Sequence, residues 1–256
     1  MSVLILALVA GAVVGLALGG LGGGGSVLAV PALIYLLGFT PVAATTASLI
    51  IVTLTSISSL AAHARDGNVR WRPGLLFAAA GIGPAMLGGL VAGHIPATAL
   101  TIAFSVTAAL AAWRMLRPGR PAQDPVQGSP AQDRPVRPPR AAGSGAGLGA
   151  VTGVLGVGGG FLAVPALVGV LGLRMKTAVG TSLLVIVINS LAALATRTST
   201  ADSLDWAVIA PFTAAAILGA WDGKRLAAKI SGNRLQHVFA YVLLAVAAFM
   251  LLDSLI

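Results

Sequence analysis

The sequence predicts an all-α polytopic membrane protein of eight to ten helices, built as two inverted-topology repeats with glycine-rich broken or re-entrant helices. Three observations predict it: a composition that water-soluble domains lack, a series of apolar segments near membrane-crossing length, and a duplicated glycine–proline motif. Of the 256 residues, 57% are hydrophobic and 9% charged, with a mean hydropathy of +0.96. Soluble domains carry about 25% charged residues, so this chain cannot clothe a water-exposed globule. A soluble enzyme, a coiled coil, a disordered chain and a nucleic-acid binder are excluded on that ground. Cysteine is absent, which removes disulfides, thiolate metal sites and cysteine nucleophiles. Lys and Arg number 16 against 7 Asp and Glu, a net charge of +9. In a chain this apolar, basic residues flank membrane spans and set their orientation.

A helix needs roughly 20 apolar residues to cross about 30 Å of hydrocarbon. Five segments precede residue 117, at about 3–19, 25–38, 41–62, 72–92 and 97–116. Five follow residue 142, at about 143–157, 159–172, 177–196, 205–222 and 235–253. The second segment of each set is short for a crossing and reads as re-entrant or broken. The first segment is not an obvious cleaved signal, because Met1-Ser2 offers no basic start and Gly11, Gly15 and Gly19 interrupt the apolar run. Residues 117–142 are rich in proline and arginine and poor in large apolar side chains, so they read as a cytoplasmic tether. The expected organisation is a membrane repeat over 1–116, that linker, and a second membrane repeat over 143–256.

The repeat is explicit. Gly22–Leu49 aligns without gaps on Gly156–Leu183 with 14 of 28 positions identical, where this composition gives roughly one in ten by chance. Gly11, Gly15 and Gly19 fall on Gly145, Gly149 and Gly153, and one inserted residue later Trp71 falls on Trp206. These G-x-x-x-G ladders read as helix–helix contact surfaces. Loop charge supplies orientation. Arg65, Arg70 and Arg72, Arg114 and Arg117 with the linker arginines, Arg174 with Lys176, and the group Lys224, Arg225, Lys229 and Arg234 are placed in the cytoplasm. The loops at Gly93–Pro96 and Thr198–Asp205 are poor in Lys and Arg and face outward. An odd number of crossings per half satisfies all of these, which puts both termini outside and inverts one half relative to the other.

The candidate site follows from backbone chemistry. Gly22–Gly25 with Ser26, and Gly156–Gly160, interrupt the helical ladder at membrane depth. Backbone N–H groups freed there need a partner, and a glycine turn feeding a helix start can gather them around an anion. Pro31 and Pro165 break each following segment again. Gly22, Gly24, Gly25 and Ser26, with Gly156, Gly158, Gly159 and Gly160, are therefore the candidate substrate-binding backbone. The third segments add polar side chains: Thr45, Ser48 and Thr55 (with Ser59 on the same face) in the first half, and Thr181, Ser182 and Asn189 in the second. No Lys or Arg is expected deep in a span, so dipoles and neutral donors are expected to hold the anion. Hydroxyls in spans also commonly bond their own i−4 carbonyl. Trp71 and Trp206 read as interface anchors. His63, His94 and His237 sit at segment ends without metal-ligand spacing. Asp222, beside Lys224 and Arg225, reads as a snorkelling ion pair at a cytoplasmic end, with an ion-coupling role as the alternative.

These residues resemble the TauE/SafE family of sulfite and sulfonate exporters. The matching pieces are Gly153–Leu167, Thr177–Leu194, the loops centred on Trp71 and Trp206, and Leu218–Ser231. The likeness covers both halves outside residues 117–142. It implies a multi-pass protein of the bacterial cytoplasmic (inner) membrane that exports a small sulfur oxyanion such as sulfite or sulfoacetate. It departs from the family pattern at Ser26, at Asp222 and in the long linker. The alternative is transport of another small anion or solute, ion-coupled through Asp222. The expected partners are a small anionic substrate and the lipid bilayer, with no nucleic acid and with room for a homodimer. No enzyme activity, catalytic residue, cofactor or metal is expected. An intramembrane aspartyl mechanism needs paired acids, and a serine mechanism needs a deep Ser/His pair.

Overall fold

The computed structural model describes residues 2–22, 26–92, 94–116, 138–155, 160–197 and 204–253. Those residues form ten helices and no strand. They are α1 (Ser2–Leu21), α2 (Ser26–Pro31, continuing as a π-helical turn over Ala32–Leu36), α3 (Pro41–Arg65), α4 (Trp71–Ala92) and α5 (Ala97–Leu116). After them come α6 (Pro138–Leu155), α7 (Gly160–Leu171), α8 (Met175–Leu194), α9 (Trp206–Ala228) and α10 (Gly232–Asp253). Seven are long and apolar enough to cross a membrane, and the runs in α2, α6 and α7 are shorter. α6 starts at Pro138, inside the stretch read as linker; residues 117–137 lie outside the described residues.

Local chemistry explains the boundaries. Pro31 has no N–H to give its helix and crowds the preceding turn, and the chain widens to π-helical spacing immediately after it. Gly38, at φ +71°, then ends the element, and the Phe39 amide returns to the Leu33 carbonyl at 3.0 Å. The left-handed glycine turns the chain back onto a carbonyl six positions earlier, one position wider than a Schellman cap. The second half repeats it at an offset of 134 residues: Gly172 at φ +63°, with Leu173 N–H on the Leu167 carbonyl at 3.2 Å. Pro41 sits in the first turn of α3, where its missing N–H costs nothing, and the Thr40 hydroxyl accepts from Ala43 N at 3.4 Å.

The glycine ladders work as contact surfaces, and each half uses its ladder on the other half's fourth helix. A Cβ at Gly11, Gly15 or Gly19 of α1 would collide with the backbone carbonyls of Phe212, Ala216 and Ala220 on α9. A Cβ at Gly145, Gly149 or Gly153 of α6 would collide with those of Phe77, Gly81 and Ala85 on α4. Only glycine permits backbones this close. The two sets of contacts match under the sequence register of the repeat.

α3 and α8 form the centre. Both pack on each other and on flanking helices, and 67% of each span is buried against 33–44% in the other long ones. They run antiparallel. Thr45, near the start of α3, bonds Arg197, just past the end of α8; Gly180, near the start of α8, abuts His63 and Asn68 at the end of α3. The perimeter is apolar and exposed: Leu4, Ile5 and Val9 on α1, Leu76 and Leu87 on α4, Leu218 on α9 and Leu252 on α10. A surface of that kind suits lipid rather than water.

Candidate functional site

The described helices stop at each glycine run and resume at its end. α1 ends at Leu21 and α2 starts at Ser26; α6 ends at Leu155 and α7 starts at Gly160. Gly24, Gly25, Gly156, Gly158 and Gly159 lie outside the described residues. Gly22 adopts φ +65°, and a Cβ on it would stand 2.8 Å from Ser182 Oγ and 2.9 Å from the Val179 carbonyl. The first-half break is thus pressed against the start of α8, bringing Gly22 and Ser182 together. Ser26 and Gly160 are buried, and helix α2 packs against helix α7. An open depression of about 390 Å³ between Gly143, Ser144, Gly169 and Val170 lies at the opposite end of the α6–α7 hairpin from the break.

The polar side chains divide into two groups. Thr45, Ser48, Thr55 and Ser182 donate to carbonyls of their own helices, Val42 (2.9 Å), Thr45 (3.0 Å), Ile51 (2.7 Å) and Val179 (2.7 Å). Their protons are spent on the backbone, as expected of hydroxyls in an apolar surrounding. Thr181 holds structure in another way: its hydroxyl accepts from the Arg70 amide at 3.0 Å, tying the entrance of α4 to α8. Asn189 is different. It is fully buried, and neither its amide nitrogen nor its oxygen has a hydrogen-bond partner. It sits over Gly81, whose missing Cβ would lie 2.7 Å from Nδ2.

Three further unpaired hydroxyls accompany Asn189 along the α3/α8 pair: Ser56 and Ser59 on α3, and Ser190 on α8. Burying a polar group without a partner costs about 1–3 kcal/mol, so four such residues on the two most buried helices call for an explanation. Ser56 and Ser190 are 134 residues apart, as are Thr55 and Asn189. The repeat register was the signal that could have added Ser56 and Ser190 to the candidates.

One basic side chain just past the α8 span is buried. Arg197 is 6% exposed. Its Nη1 donates to Thr45 Oγ1 at 2.9 Å, and its Nη2 donates to the carbonyls of Gly153 and Val154 at the end of α6. Burial lowers its pKa to about 10, which leaves it cationic at neutral pH. The chain folds back past α8 at Ala195–Thr196 and tucks the guanidinium beneath α6, which is why a loop arginine in the sequence becomes an interior one. At the other end of the pair His63 is buried, not merely terminal, with Nδ1 3.0 Å from the Ser59 carbonyl.

Asp222 points away from all of this. Its side chain is 68% exposed and lies 3.4 Å from Arg225. Lys224, the next basic residue, pairs with Asp66 at 2.7 Å and donates to the Ala62 carbonyl. The Lys224 hydrogen bond holds the Asp66 carboxyl below the usual carboxylate range.

The sequence profile of the family described as "Sulfite exporter TauE/SafE" matches residues 7–250. Two curated relatives from strains of Xylella fastidiosa, each named "Probable membrane transporter protein", are 34% identical over 256 and 258 residues, covering 98% of this chain and 96% of the relative. No solved structure matches significantly.

Proposed function

This chain belongs to the sulfite exporter TauE/SafE family and is a multi-pass membrane transporter; from that premise we propose that it exports a small sulfur oxyanion, sulfite or an organosulfonate such as sulfoacetate, across the bacterial inner membrane. The two halves cross in opposite directions with both termini outside, and the anion passes between the two glycine-broken helices. One observation carries the reading: in both halves the described helices end and resume at the same register, at Leu21 and Ser26 and at Leu155 and Gly160, and α2 packs against α7 next to the buried polar α3/α8 pair. Discontinuous helices meeting at the repeat interface are where transporters of this architecture bind solute.

The energetics favour export. Each negative charge leaving an inside-negative compartment gains about 2.3 kcal/mol per 100 mV. No buried proton relay is then required. The test is sulfite efflux from proteoliposomes. An imposed inside-negative potential speeds efflux, and Gly159→Leu abolishes it. Efflux indifferent to potential, or unchanged in Gly159→Leu, contradicts the proposal.

A further inference from the structure

Arg197 carries a charge that the described protein leaves uncompensated. It is interior, yet neither of the described ion pairs, Lys224–Asp66 and Arg225–Asp222, includes it. Thr45 and the carbonyls of Gly153 and Val154 occupy three of the five N–H donors of a guanidinium. The buried Nε has no partner. The carbonyl end of α6 offers partial negative charge, but a buried cation without a full counter-charge is destabilising.

The remaining unpaired side chains, Ser56 and Ser59 on α3 and Asn189 and Ser190 on α8, lie on the same two helices, and His63, bonded to the Ser59 carbonyl, ends the α3 series. On α3, Ser56, Ser59 and His63 follow at intervals of three and four and share one face. On α8, Asn189 and Ser190 lie one turn before the helix end, and Arg197 follows beyond the turn at Ala195–Thr196. At the two ends of the pair His63 abuts Gly180 and Arg197 bonds Thr45, while Asn189 faces Gly81 of α4. Because the helices are antiparallel, the sequence Arg197, Ser190 and Asn189, Ser56, Ser59, His63 spans the pair from one end to the other.

We propose that Arg197 is the charge-recognition residue for the transported anion, and that the unpaired groups of Ser56 and Ser59 on α3 and of Asn189 and Ser190 on α8 supply the neutral donors along its path. The proposal rests on the transport reading above and adds the residues that select the cargo. The Nε edge of a guanidinium presents a planar fork, so the ligand is an oxyanion with at least two oxygens to engage it. The serines and the asparagine are neutral donors, which bind weakly enough for release. A plain capping role for Arg197 at the end of α6 predicts altered stability alone; charge recognition predicts an altered KM.

The experiment uses the full-length protein in two formats: sulfite efflux from proteoliposomes, and the anion-induced rise in Tm in detergent. The panel is sulfite, thiosulfate, sulfate and acetate, with the neutral dimethyl sulfone as control. In the wild type, sulfite raises Tm and dimethyl sulfone does not. Arg197→Gln raises the KM for sulfite about tenfold or more and removes the Tm rise; Arg197→Lys, which keeps the charge and loses the fork, falls between. Where Arg197→Gln does not accumulate, Arg197→Lys and Asn189→Leu decide, each expected to raise KM. A wild-type KM and an intact Tm rise in these variants overturn the assignment. If the wild type moves a different panel anion and the variants weaken that one, the sulfur-oxyanion reading fails and the role of Arg197 stands. If no anion raises the wild-type Tm, the role of Arg197 is overturned.

Discussion

The C-terminal ends of α3 and α8 occupy matching places in the repeat and do opposite things with charge. At the end of α3, His63 is buried, and the nearby cation Lys224 is neutralised by Asp66, itself half exposed. At the end of α8, residue 197, 134 positions after residue 63, is an arginine drawn into the interior with backbone carbonyls and one hydroxyl as its partners. The helices that frame the two ends are duplicated down to the glycine that admits each carbonyl. The electrostatics are not. Duplicated packing supplies a symmetric scaffold, and point differences at its ends give it a direction.

The comparison breaks most visibly at its scaffold. Gly15→Leu on α1 and Gly149→Leu on α6 drive a side chain into the Ala216 and Gly81 backbones respectively. Overpacking costs about 1–3 kcal/mol where side chains can yield, and backbone cannot. Both variants should fail to give a monodisperse peak in detergent chromatography; tolerance of only one would end the equivalence of the two interfaces. The next effect separates the ends. Arg197→Gln should raise the KM for sulfite as stated above, while His63→Gln should change it less than about threefold, and a larger effect of His63→Gln would reverse the polarity argued here.

Smaller effects sharpen the picture. Asp222→Asn should leave the dependence of efflux on pH between 6 and 8 unchanged, because Asp222 faces outward beside Arg225. A flattened profile would restore it as a coupling group. Asp66→Asn should have the least effect of all. A lowered Asp66 pKa means that the pair's contribution is fully present above the ordinary value near 3.9 and is lost only as pH falls through the lowered one. Tm should therefore not vary between pH 6 and 8 on account of this pair, in the wild type or the variant. A wild-type Tm that falls across that window, absent in Asp66→Asn, would contradict it.

Much of the fold was legible because helix packing in lipid imposes spacing. Glycines at Gly11, Gly15 and Gly19 announce a contact face, and the same spacing at Gly145, Gly149 and Gly153 announces a second. What spacing does not say is the partner. Register makes α1 equivalent to α6 but is silent on whether α1 packs within its own half, and the structure sends it to α9. The site was legible as backbone and less so as side chains. Gly22 and Ser182 do meet, yet Thr45, Ser48, Thr55 and Ser182 give their protons to their own helices. Which hydroxyl stays unpaired depends on rotamer and on the neighbouring helix, and neither is written in a periodicity. Arg197 escaped notice because it follows the apolar run and resembles a loop residue; the turn at Ala195–Thr196 that buries it is a tertiary event.

The account depends most on the two ends facing opposite sides of the membrane, with the arginine end on the outside. The chain has no cysteine, so single substitutions report position without background. Arg65→Cys, exposed at the end of α3, and Asp205→Cys, exposed before α9, can be probed in intact cells with a membrane-impermeant maleimide. The expected result is labelling of Asp205→Cys from outside and protection of Arg65→Cys until the membrane is opened. Labelling of both from one side, or the reverse pattern, contradicts the account.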